Sequence, residues 1–266
     1  MNIPKVIHQS YISEDKIDPR YKKNISELKE LNPDWQWVFW SDEDNRELIK
    51  DAYPWFLPYY DSYEHPIQRA DAVRYFYMHH YGGIYLDLDM IPLKPIEELL
   101  LKVHNCEVQS LVHSSRPQVV LFEEYPNNFS VGSSLYNAIM VSEKESSFWL
   151  HTHYMLENRF RKQGDSPKSD FIFETTGPRL LKASFMGYLN SCSVQNVIVL
   201  PYFYSNPCAL PDREDNSKRI IFDKMLTRPS FMRSEPVVPW HSLPQDFKKL
   251  NLPNSYFIHD SHGTWR

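Results

Sequence analysis

The hydrophobic residues of the chain fall into two kinds of segment, distinguished by their spacing. Short apolar runs predict strands at residues 5–11, 35–40, 82–91, 108–112, 119–123 and 197–200. Apolar residues three and four apart predict helices at residues 24–31, 41–50, 66–81, 147–161 and 178–188, and another from about residue 95. Because strands and helices alternate, we predict an α/β fold with a Rossmann-like, mostly parallel sheet flanked by helices.

Some segments carry less regular patterns. Residues 163–169 are polar and predict a loop, whereas residues 207–244 are charged, rich in proline and irregular. The helix predicted at residues 147–161 is expected to bury its apolar side chains, among them Leu150 and Tyr154. The irregular stretch predicts a small region outside the main sheet.

The predicted strand at residues 82–91 is unusual because it carries two acids, Asp87 and Asp89. Residues two apart on a strand share a face, so both carboxylates should point the same way. Pro92 cannot donate to a sheet ladder, so pairing should stop at about Ile91 and leave the acids at the carboxyl edge, where such sheets bind ligands. Paired carboxylates there suit Mg²⁺ or Mn²⁺ with a substrate diphosphate. Two solvated acids at a strand end are the alternative.

The helix predicted before this strand brings further charges to the same edge. A proline at its start and a glycine after its end mark its limits. Asp71 and Arg74, three residues apart, share one helical face. We therefore expect Asp71, Arg74, Asp87 and Asp89 to lie within reach of one ligand. An ordinary solvated ion pair within the helix is the alternative interpretation.

Composition narrows the class of protein. The 266 residues suit one domain, and the 15% aromatic content is high. A net charge of −5 gives no basic surface field, so we expect no nucleic-acid partner. The three cysteines, Cys106, Cys192 and Cys208, are widely spaced, which indicates neither a disulfide framework nor a zinc site.

The same features predict the compartment. Unpaired cysteines favour a reducing environment. The amino terminus has no signal-peptide pattern, and no run approaches the roughly 18 apolar residues of a membrane span. We therefore expect a cytoplasmic protein, or a Golgi lumenal one if a membrane anchor has been separated from this sequence.

Two segments carry a specific resemblance. Residues 69–74, Arg-Ala-Asp-Ala-Val-Arg, and residues 81–89, Tyr-Gly-Gly-Ile-Tyr-Leu-Asp-Leu-Asp, resemble the DXD-containing sugar-binding region of glycosyltransferase family 32. That family includes mannosyltransferases and capsular polysaccharide enzymes, and the clostridial glucosylating toxins are more distantly similar. The resemblance implies a GT-A type fold with a small irregular acceptor-side region. It implies a single domain over residues 1–266, with the nucleotide-sugar-binding half at 1–125 and the acceptor side and closing tail at 126–266.

The resemblance also assigns residues to the donor site. Tyr11, which follows a segment similar to the family's I-P-K-x-I-H-Q, is expected to stack on the donor base. Gly83 is placed with the donor-binding residues, and Asn137 beside the donor sugar. A half-buried Tyr11 and an Asn137 that satisfies a buried turn are the structural alternatives. Residues 175–178, Thr-Thr-Gly-Pro, resemble a family turn that opens a helix, although this is also ordinary turn chemistry.

The carboxyl-terminal residues 256–265 resemble the family's closing H-H-x-x-G-S-W. By that resemblance His259 is the third metal ligand, with Asp260 as its competitor, and Trp265 folds over the diphosphate. A neutral imidazole suits Mn²⁺ better than Mg²⁺. A functional role predicts that this tail is ordered.

The function implied is metal-dependent transfer of a hexose from GDP-mannose, UDP-galactose or UDP-glucose to a hydroxyl of a glycan or glycolipid, with peripheral membrane contact as an option. Asp89 would bind the metal directly, and Asp87 would contact the ribose or bridge to the metal through water. Asp71 and Arg74 would orient the sugar, and Arg74 would offset diphosphate charge. The resemblance implies retention at the anomeric carbon. The alternatives are a non-catalytic sugar-nucleotide or glycan-binding protein and a toxin-like protein glycosyltransferase.

Overall fold

The computed structural model describes residues 1–108, 110, 114, 116–124, 135–191, 196–206, 208–209, 218–221, 237–239 and 252–259. The strands are β1 (Val6–Ser10), β2 (Gln36–Trp40), β3 (Gly83–Leu86), β4 (Met90–Pro92), β5 (Val119–Phe122), β6 (Ile139–Ser142), β7 (Val197–Leu200), β8 (Cys208–Ala209), β9 (Lys218–Ile221), β10 (Val237–Pro239) and β11 (Phe257–His259). The α-helices are α1 (Pro19–Leu31), α2 (Asp42–Ala52), α3 (Leu57–Ser62), α4 (Pro66–His80), α5 (Ile96–His104), α6 (Ser147–Arg159), α7 (Lys168–Thr175) and α8 (Pro178–Ser191). None of these helices is both long and apolar enough to cross a membrane.

The central sheet has six strands in the spatial order β2-β1-β3-β6-β5-β7. Strand β6 runs antiparallel to both of its neighbours, and the other pairs are parallel. The carboxyl ends of β1, β2, β3, β5 and β7 therefore meet at one edge, and β6 begins there. The mostly parallel sheet predicted from the sequence is confirmed.

Helices cover the sheet on both faces. Buried residues of α2, α3, α4, α6 and α8 form one apolar layer. Buried residues of α1 and α5, with residues 256–257, form the other. Helix α4 lies inside the first layer and buries nine of its 15 residues. Its sequence predicted an apolar face and a separate polar face, but Gln68, Asp71 and Arg74 of the polar face are buried as well and find partners inside the protein.

Two glycines join α4 to β3 for steric reasons. Gly82 and Gly83 have φ values of +65° and +89°, a backbone region that favours glycine. A Cβ atom at Gly83 would also lie 2.4 Å from the carbonyl oxygen of Val6. Gly83 therefore lets β3 approach β1, and it lies at the opposite end of β3 from Asp87.

Four sequence predictions need correction. The acid-bearing segment is two strands, because β3 ends at Leu86 and Met90–Pro92 pairs with β11 in a separate sheet. Helix α1 begins at Pro19 instead of residue 24, since Asp18 caps it by accepting a hydrogen bond from the Arg20 amide. Helix α7 occupies part of the region predicted as a loop. Strands β8–β10 form a three-stranded antiparallel sheet within the stretch predicted to be irregular.

The inward face of α6 was predicted wrongly at two residues, although Phe148 is buried as expected. Leu150 and Tyr154 are 53% and 57% exposed, whereas Trp149, His153 and Leu156 are buried. Helix α6 packs against both α4 and α8. Contacts on two sides bury a broader and rotated stripe, which the apolar spacing alone did not reveal.

Candidate active site

The two acids of the DXD motif lie on a turn at the carboxyl edge of the central sheet. The Asp87 amide donates to the Ala138 carbonyl at 2.8 Å, and the Met90 amide donates to the Asp87 carbonyl at 3.1 Å. Between the acids, Leu88 is buried against Ile17, Tyr21 and Ile25. A turn anchored by this leucine, instead of the predicted strand alternation, directs the two carboxylates away from the core.

A histidine from the end of the described chain completes this group. Strand β11 pairs antiparallel with β4 and sets His259 opposite Met90, next to Asp89. Its Nε2 atom lies 3.0 Å from Asp89 Oδ1, and its backbone amide donates to Asn206 Oδ1 at 3.2 Å. Burial by itself lowers the pKa of the His259 imidazole, but the Asp89 carboxylate outweighs this effect and the net shift is upward. The two residues therefore form a charge-assisted pair.

Asp87, Asp89 and His259 have the chemistry of a divalent-cation site, and we call them the metal cluster. One ligand atom from each lies within 4.8 Å of the others, and all three side chains are partly exposed. Two carboxylate oxygens and one imidazole nitrogen are hard and borderline donors, which fit Mn²⁺ and also accept Mg²⁺. Three protein ligands leave room for oxygens of a substrate. The competing ligand Asp260 lies outside the described residues.

Arg74 connects α4 to the acid-bearing turn. Its Nη1 atom lies 3.2 Å from Asp87 Oδ1, and its Nη2 atom lies 3.1 Å from Asp71 Oδ1. Nη1 also donates to the Asn137 carbonyl at 2.9 Å, and the guanidinium carbon lies 4.7 Å from the Tyr85 ring centre. Burial disfavours the charge, but the neighbouring carboxylates outweigh it and raise the pKa of Arg74. The solvated ion pair considered for Asp71 and Arg74 is excluded, because both are buried.

Asp71, Arg74 and Asn137 form a buried polar cluster beside the metal cluster. The Asn137 Nδ2 atom donates to Asp71 Oδ1 at 3.0 Å. Burial raises the pKa of Asp71 to about 6, although Arg74 opposes this rise. Asn137 thus has a structural role, because it satisfies a buried carboxylate instead of the buried turn of the alternative interpretation. Its place beside the donor sugar stays a prediction.

Two contacts of Asp87 were not predicted from the sequence. The Tyr85 hydroxyl donates to Asp87 Oδ1 at 2.6 Å. The Gln9 amide lies 3.4 Å from the Asp87 carbonyl and is itself held by Trp37, whose Nε1 atom donates to Gln9 Oε1 at 2.9 Å. Tyr85 precedes Asp87 by two positions, and the strand predicted over residues 82–91 would have put the two side chains on one face, so this spacing could have identified it. Gln9 comes from another strand, so only the sheet order reveals it.

The remaining predicted residues lie apart from these clusters. Tyr11 is half-buried after the end of β1, at the sheet edge that carries the acids, and its ring packs edge-on against Tyr21 at 6.4 Å. Gly83 is at the other end of β3. Trp265 lies outside the described residues. The donor-binding roles of Tyr11, Gly83 and Trp265 stay predictions.

Comparison with known proteins agrees with this site. Residues 18–106, which include the acid-bearing turn and α4, match the family described as "Glycosyltransferase sugar-binding region containing DXD motif". The resemblance to the DXD region of glycosyltransferase family 32 is thereby confirmed.

Named relatives of the chain include mannosyltransferases. Mannosyl phosphorylinositol ceramide synthase SUR1 of Saccharomyces cerevisiae is 41% identical over 126 residues, which are 45% of this chain and 33% of that protein. Inositol phosphoceramide mannosyltransferase 2 of Schizosaccharomyces pombe is 46% identical over 87 residues, 33% of this chain and 25% of that protein. The chain therefore spans a third or less of the length of these curated relatives.

A more extended match is the uncharacterized glycosyltransferase L373 of Acanthamoeba polyphaga mimivirus, 25% identical over 78% of this chain and 74% of that protein. Among solved structures, PaToxG Glycosyltransferase superposes with a TM-score of 0.51 at 15% identity, over 71% of this chain and 70% of that chain. The shared architecture is the GT-A type fold that the sequence predicted.

Proposed function

We propose that the protein is a metal-dependent, retaining glycosyltransferase that moves a hexose from a nucleotide-diphosphate sugar to a hydroxyl of a glycolipid or glycan. The observation that carries this proposal is the convergence of the metal cluster and the buried polar cluster at the carboxyl edge of one sheet. They come from α4, the turn after β3, the residues before β6, and β11. Ligands of α/β proteins bind at such edges.

The metal cluster would hold Mn²⁺ or Mg²⁺ through Asp87, Asp89 and His259. A cation bound there offsets negative charge on a departing diphosphate. The Tyr85 hydroxyl and Arg74 both approach the same oxygen of Asp87, Oδ1. The second oxygen, Oδ2, takes part in neither contact, so Asp87 would keep an oxygen for a cation.

The buried polar cluster would bind the transferred sugar. Asp71 accepts from hydroxyls, and Asn137 both donates and accepts, so the pair can read sugar stereochemistry. Arg74 keeps its charge because two carboxylates surround it, and it adds to the positive potential at the diphosphate side. Its contact with Asp71 favours the ionised form of that acid at neutral pH.

Retention is what the resemblance to glycosyltransferase family 32 implies, and the use of the acids in the two clusters decides which retaining route we propose. Asp87 and Asp89 are assigned to the cation, and Asp71 is fixed by Asn137 and Arg74, so neither cluster offers a free nucleophile. The bond from the anomeric carbon to the phosphate oxygen breaks, and the acceptor oxygen bonds to that carbon on the same face. The acceptor proton passes to the departing phosphate oxygen. No covalent sugar–protein intermediate forms.

Mannose is the donor sugar that we propose first, with an inositol-containing phosphosphingolipid as acceptor. The named yeast relatives are a mannosyl phosphorylinositol ceramide synthase and an inositol phosphoceramide mannosyltransferase. Asp71, Arg74, Asp87 and Asp89 lie within residues 18–106, which match the sugar-binding family. Galactose and glucose from UDP donors remain the competing substrates. In a cell, we propose that the chain acts at the cytoplasmic side of a membrane that supplies the acceptor.

The proposal is tested by incubating the protein and Mn²⁺ with GDP-mannose, UDP-galactose and UDP-glucose in turn, and by measuring nucleoside diphosphate release. We expect release with one donor and a loss on the order of 100-fold or more in Asp89→Ala. Glu47→Ala, which alters an exposed acid of α2, is the matched control and should keep full activity. Full activity in Asp89→Ala would contradict the metal assignment. Donor binding without release would indicate a binding protein instead.

A further inference from the structure

The Thr-Thr-Gly-Pro turn at residues 175–178 contacts Asp71 from an element that the proposed reaction does not use. This turn joins α7 to α8. A Cβ atom at Gly177 would lie 3.3 Å from Asp71 Oδ2 and 3.0 Å from the Phe173 Cα. Both distances are tighter than ordinary van der Waals contact. The absence of a side chain at position 177 therefore lets the turn backbone approach the second oxygen of this carboxylate.

Two side chains of α4 hold the turn in place. Gln68 Nε2 donates to Thr175 Oγ1 at 2.9 Å, and the Tyr75 hydroxyl donates to the Thr176 carbonyl at 2.8 Å. Gln68, Asp71 and Tyr75 are three and four residues apart, so they share one stripe of the helix. All five of these residues are buried. The turn is thus fastened to α4 on both sides of Asp71.

We propose that this turn is a positioning element for Asp71, and that Gly177 sets the direction in which the carboxylate faces the donor sugar. The inference rests on the proposed function, because it needs Asp71 to bind sugar hydroxyls. Asn137 and Arg74 hold Oδ1 from one side. The turn limits the movement of Oδ2 from the other side.

The protein can accommodate a methyl group at position 177 in two ways. The Asp71 carboxylate can rotate away, or the turn can move off α4, since the Phe173 backbone is fixed within a helix. Either response changes the position of the carboxylate relative to a bound sugar. A displacement of about 1 Å can lower a catalytic rate by on the order of 100-fold. The metal cluster contacts neither Gly177 nor the two α4 side chains that hold its turn. The affinity for the diphosphate should therefore not change.

The first experiment compares Gly177→Ala with two other glycine variants. A Cβ atom at Gly164 meets nothing within 4 Å, and one at Gly187, within α8, meets the His151 ring nitrogen at 2.8 Å. We expect Gly177→Ala to lower kcat on the order of 10- to 100-fold. Its Kd for GDP with Mn²⁺, measured by titration calorimetry, should stay within about twofold of wild type. Gly164→Ala should match wild type, and Gly187→Ala should lower Tm without a selective loss of kcat.

The second experiment asks whether Gly177 acts through Asp71. Asp71→Asn and the double variant Asp71→Asn/Gly177→Ala are compared for donor hydrolysis. If the turn only positions Asp71, Gly177→Ala should cost nothing further once the carboxylate is absent. UDP replaces GDP in the binding assay if the wild type uses a UDP donor.

The outcomes separate this inference from the proposed function. An active wild type with an equally active Gly177→Ala overturns the inference alone. So does a loss of kcat that persists undiminished in the Asp71→Asn background, or one accompanied by an equal loss of diphosphate affinity. A wild type that turns over none of the three donors overturns the proposed function, and this inference with it.

Discussion

At the scale of single residues, Asp87 shows how neighbours determine what a motif acid can do. The Tyr85 hydroxyl and the Arg74 guanidinium both contact its Oδ1 atom, so the carboxylate is held in one orientation. A carboxylate that is already oriented loses less conformational freedom when it binds a cation. Tyr85 is therefore expected to influence the metal cluster, although it is not proposed as a ligand.

Replacing Tyr85 by phenylalanine should weaken the metal site. Loss of a hydrogen bond that orients a metal ligand commonly costs about 10- to 100-fold in metal affinity or activity. We expect Tyr85→Phe to raise the Mn²⁺ concentration needed for half-maximal donor hydrolysis by about tenfold. Tyr53→Phe is the matched control, because it removes a hydroxyl bonded to His79 Nδ1 at 2.7 Å, outside both clusters. An unchanged Mn²⁺ requirement in Tyr85→Phe would show that this hydroxyl does not orient Asp87.

Some of the candidate site residues can be predicted from local sequence spacing, and others cannot. Asp71 and Arg74 could be predicted to act together because a spacing of three puts them on one helical face. Asp87 and Asp89 could be placed at a sheet edge because they follow an apolar run. Gln9 could not be found in this way, since it reaches Asp87 only through the pairing of β1 with β3. Its contribution is fixed by topology and not by local pattern.

At the scale of elements, short antiparallel pairs decide the geometry of the acid-bearing turn. Strand β3 leaves the sheet at Leu86, and Met90–Pro92 pairs instead with Phe257–His259. The sequence suggested one strand ending near Pro92, because apolar residues continue through that region. Pairing with β11 could not be foreseen, since nothing local in residues 90–92 specifies a partner so far along the chain. The turn forms because the segments before and after it pair in two different sheets.

At Gly83, a structural role and a donor-binding role predict opposite results for replacement by alanine. Alanine there would combine a φ near +89° with a contact to the Val6 carbonyl. We expect Gly83→Ala to lower the free energy of unfolding by roughly 2–4 kcal/mol, measured by urea denaturation. The folded fraction should keep the wild-type KM for donor. A raised KM with unchanged stability would instead assign Gly83 to donor binding, and Gly164→Ala controls for the change of residue type.

At the scale of the whole molecule, the edge of the sheet that carries the candidate site holds a further titratable group, which belongs to neither cluster. Glu123 follows β5 at that edge and is almost fully buried. Burial raises the pKa of its carboxyl from 4.5 to about 7. The folded protein therefore keeps this proton in a pH range in which the unfolded chain releases it.

This predicts how global stability varies with pH. The contribution of Glu123 is fully present below about pH 4.5 and is lost as pH rises through about 7. Glu123→Gln removes that dependence, so between pH 5 and 8 the wild type should lose more stability than the variant, by on the order of 1–3 kcal/mol. Urea denaturation across this range measures the difference. Equal slopes would contradict it, and Glu47→Gln on the exposed face of α2 serves as the control.

The overall architecture was predictable because alternating strands and helices admit few arrangements. The antiparallel direction of β6 was not predictable, since the apolar run at residues 139–142 does not show which way the strand runs relative to its neighbours. Nor was the outward face of α6, where Leu150 and Tyr154 are exposed although their spacing suggested burial. In both cases the deciding contacts join segments distant in sequence, and single-sequence patterns report only on near neighbours.

The contact between His259 and Asp89 joins positions 170 residues apart. A cation bound by both residues would cross-link the ends of this long chain segment. Such a cross-link lowers mainly the conformational entropy of the unfolded chain. Loading with Mn²⁺ should therefore make the protein harder to unfold. Without a cation, β11 is held by three residue pairs with β4 and by the burial of Phe257 and Ile258. Removal of the cation should therefore lower the free energy of unfolding while β11 keeps its place beside β4.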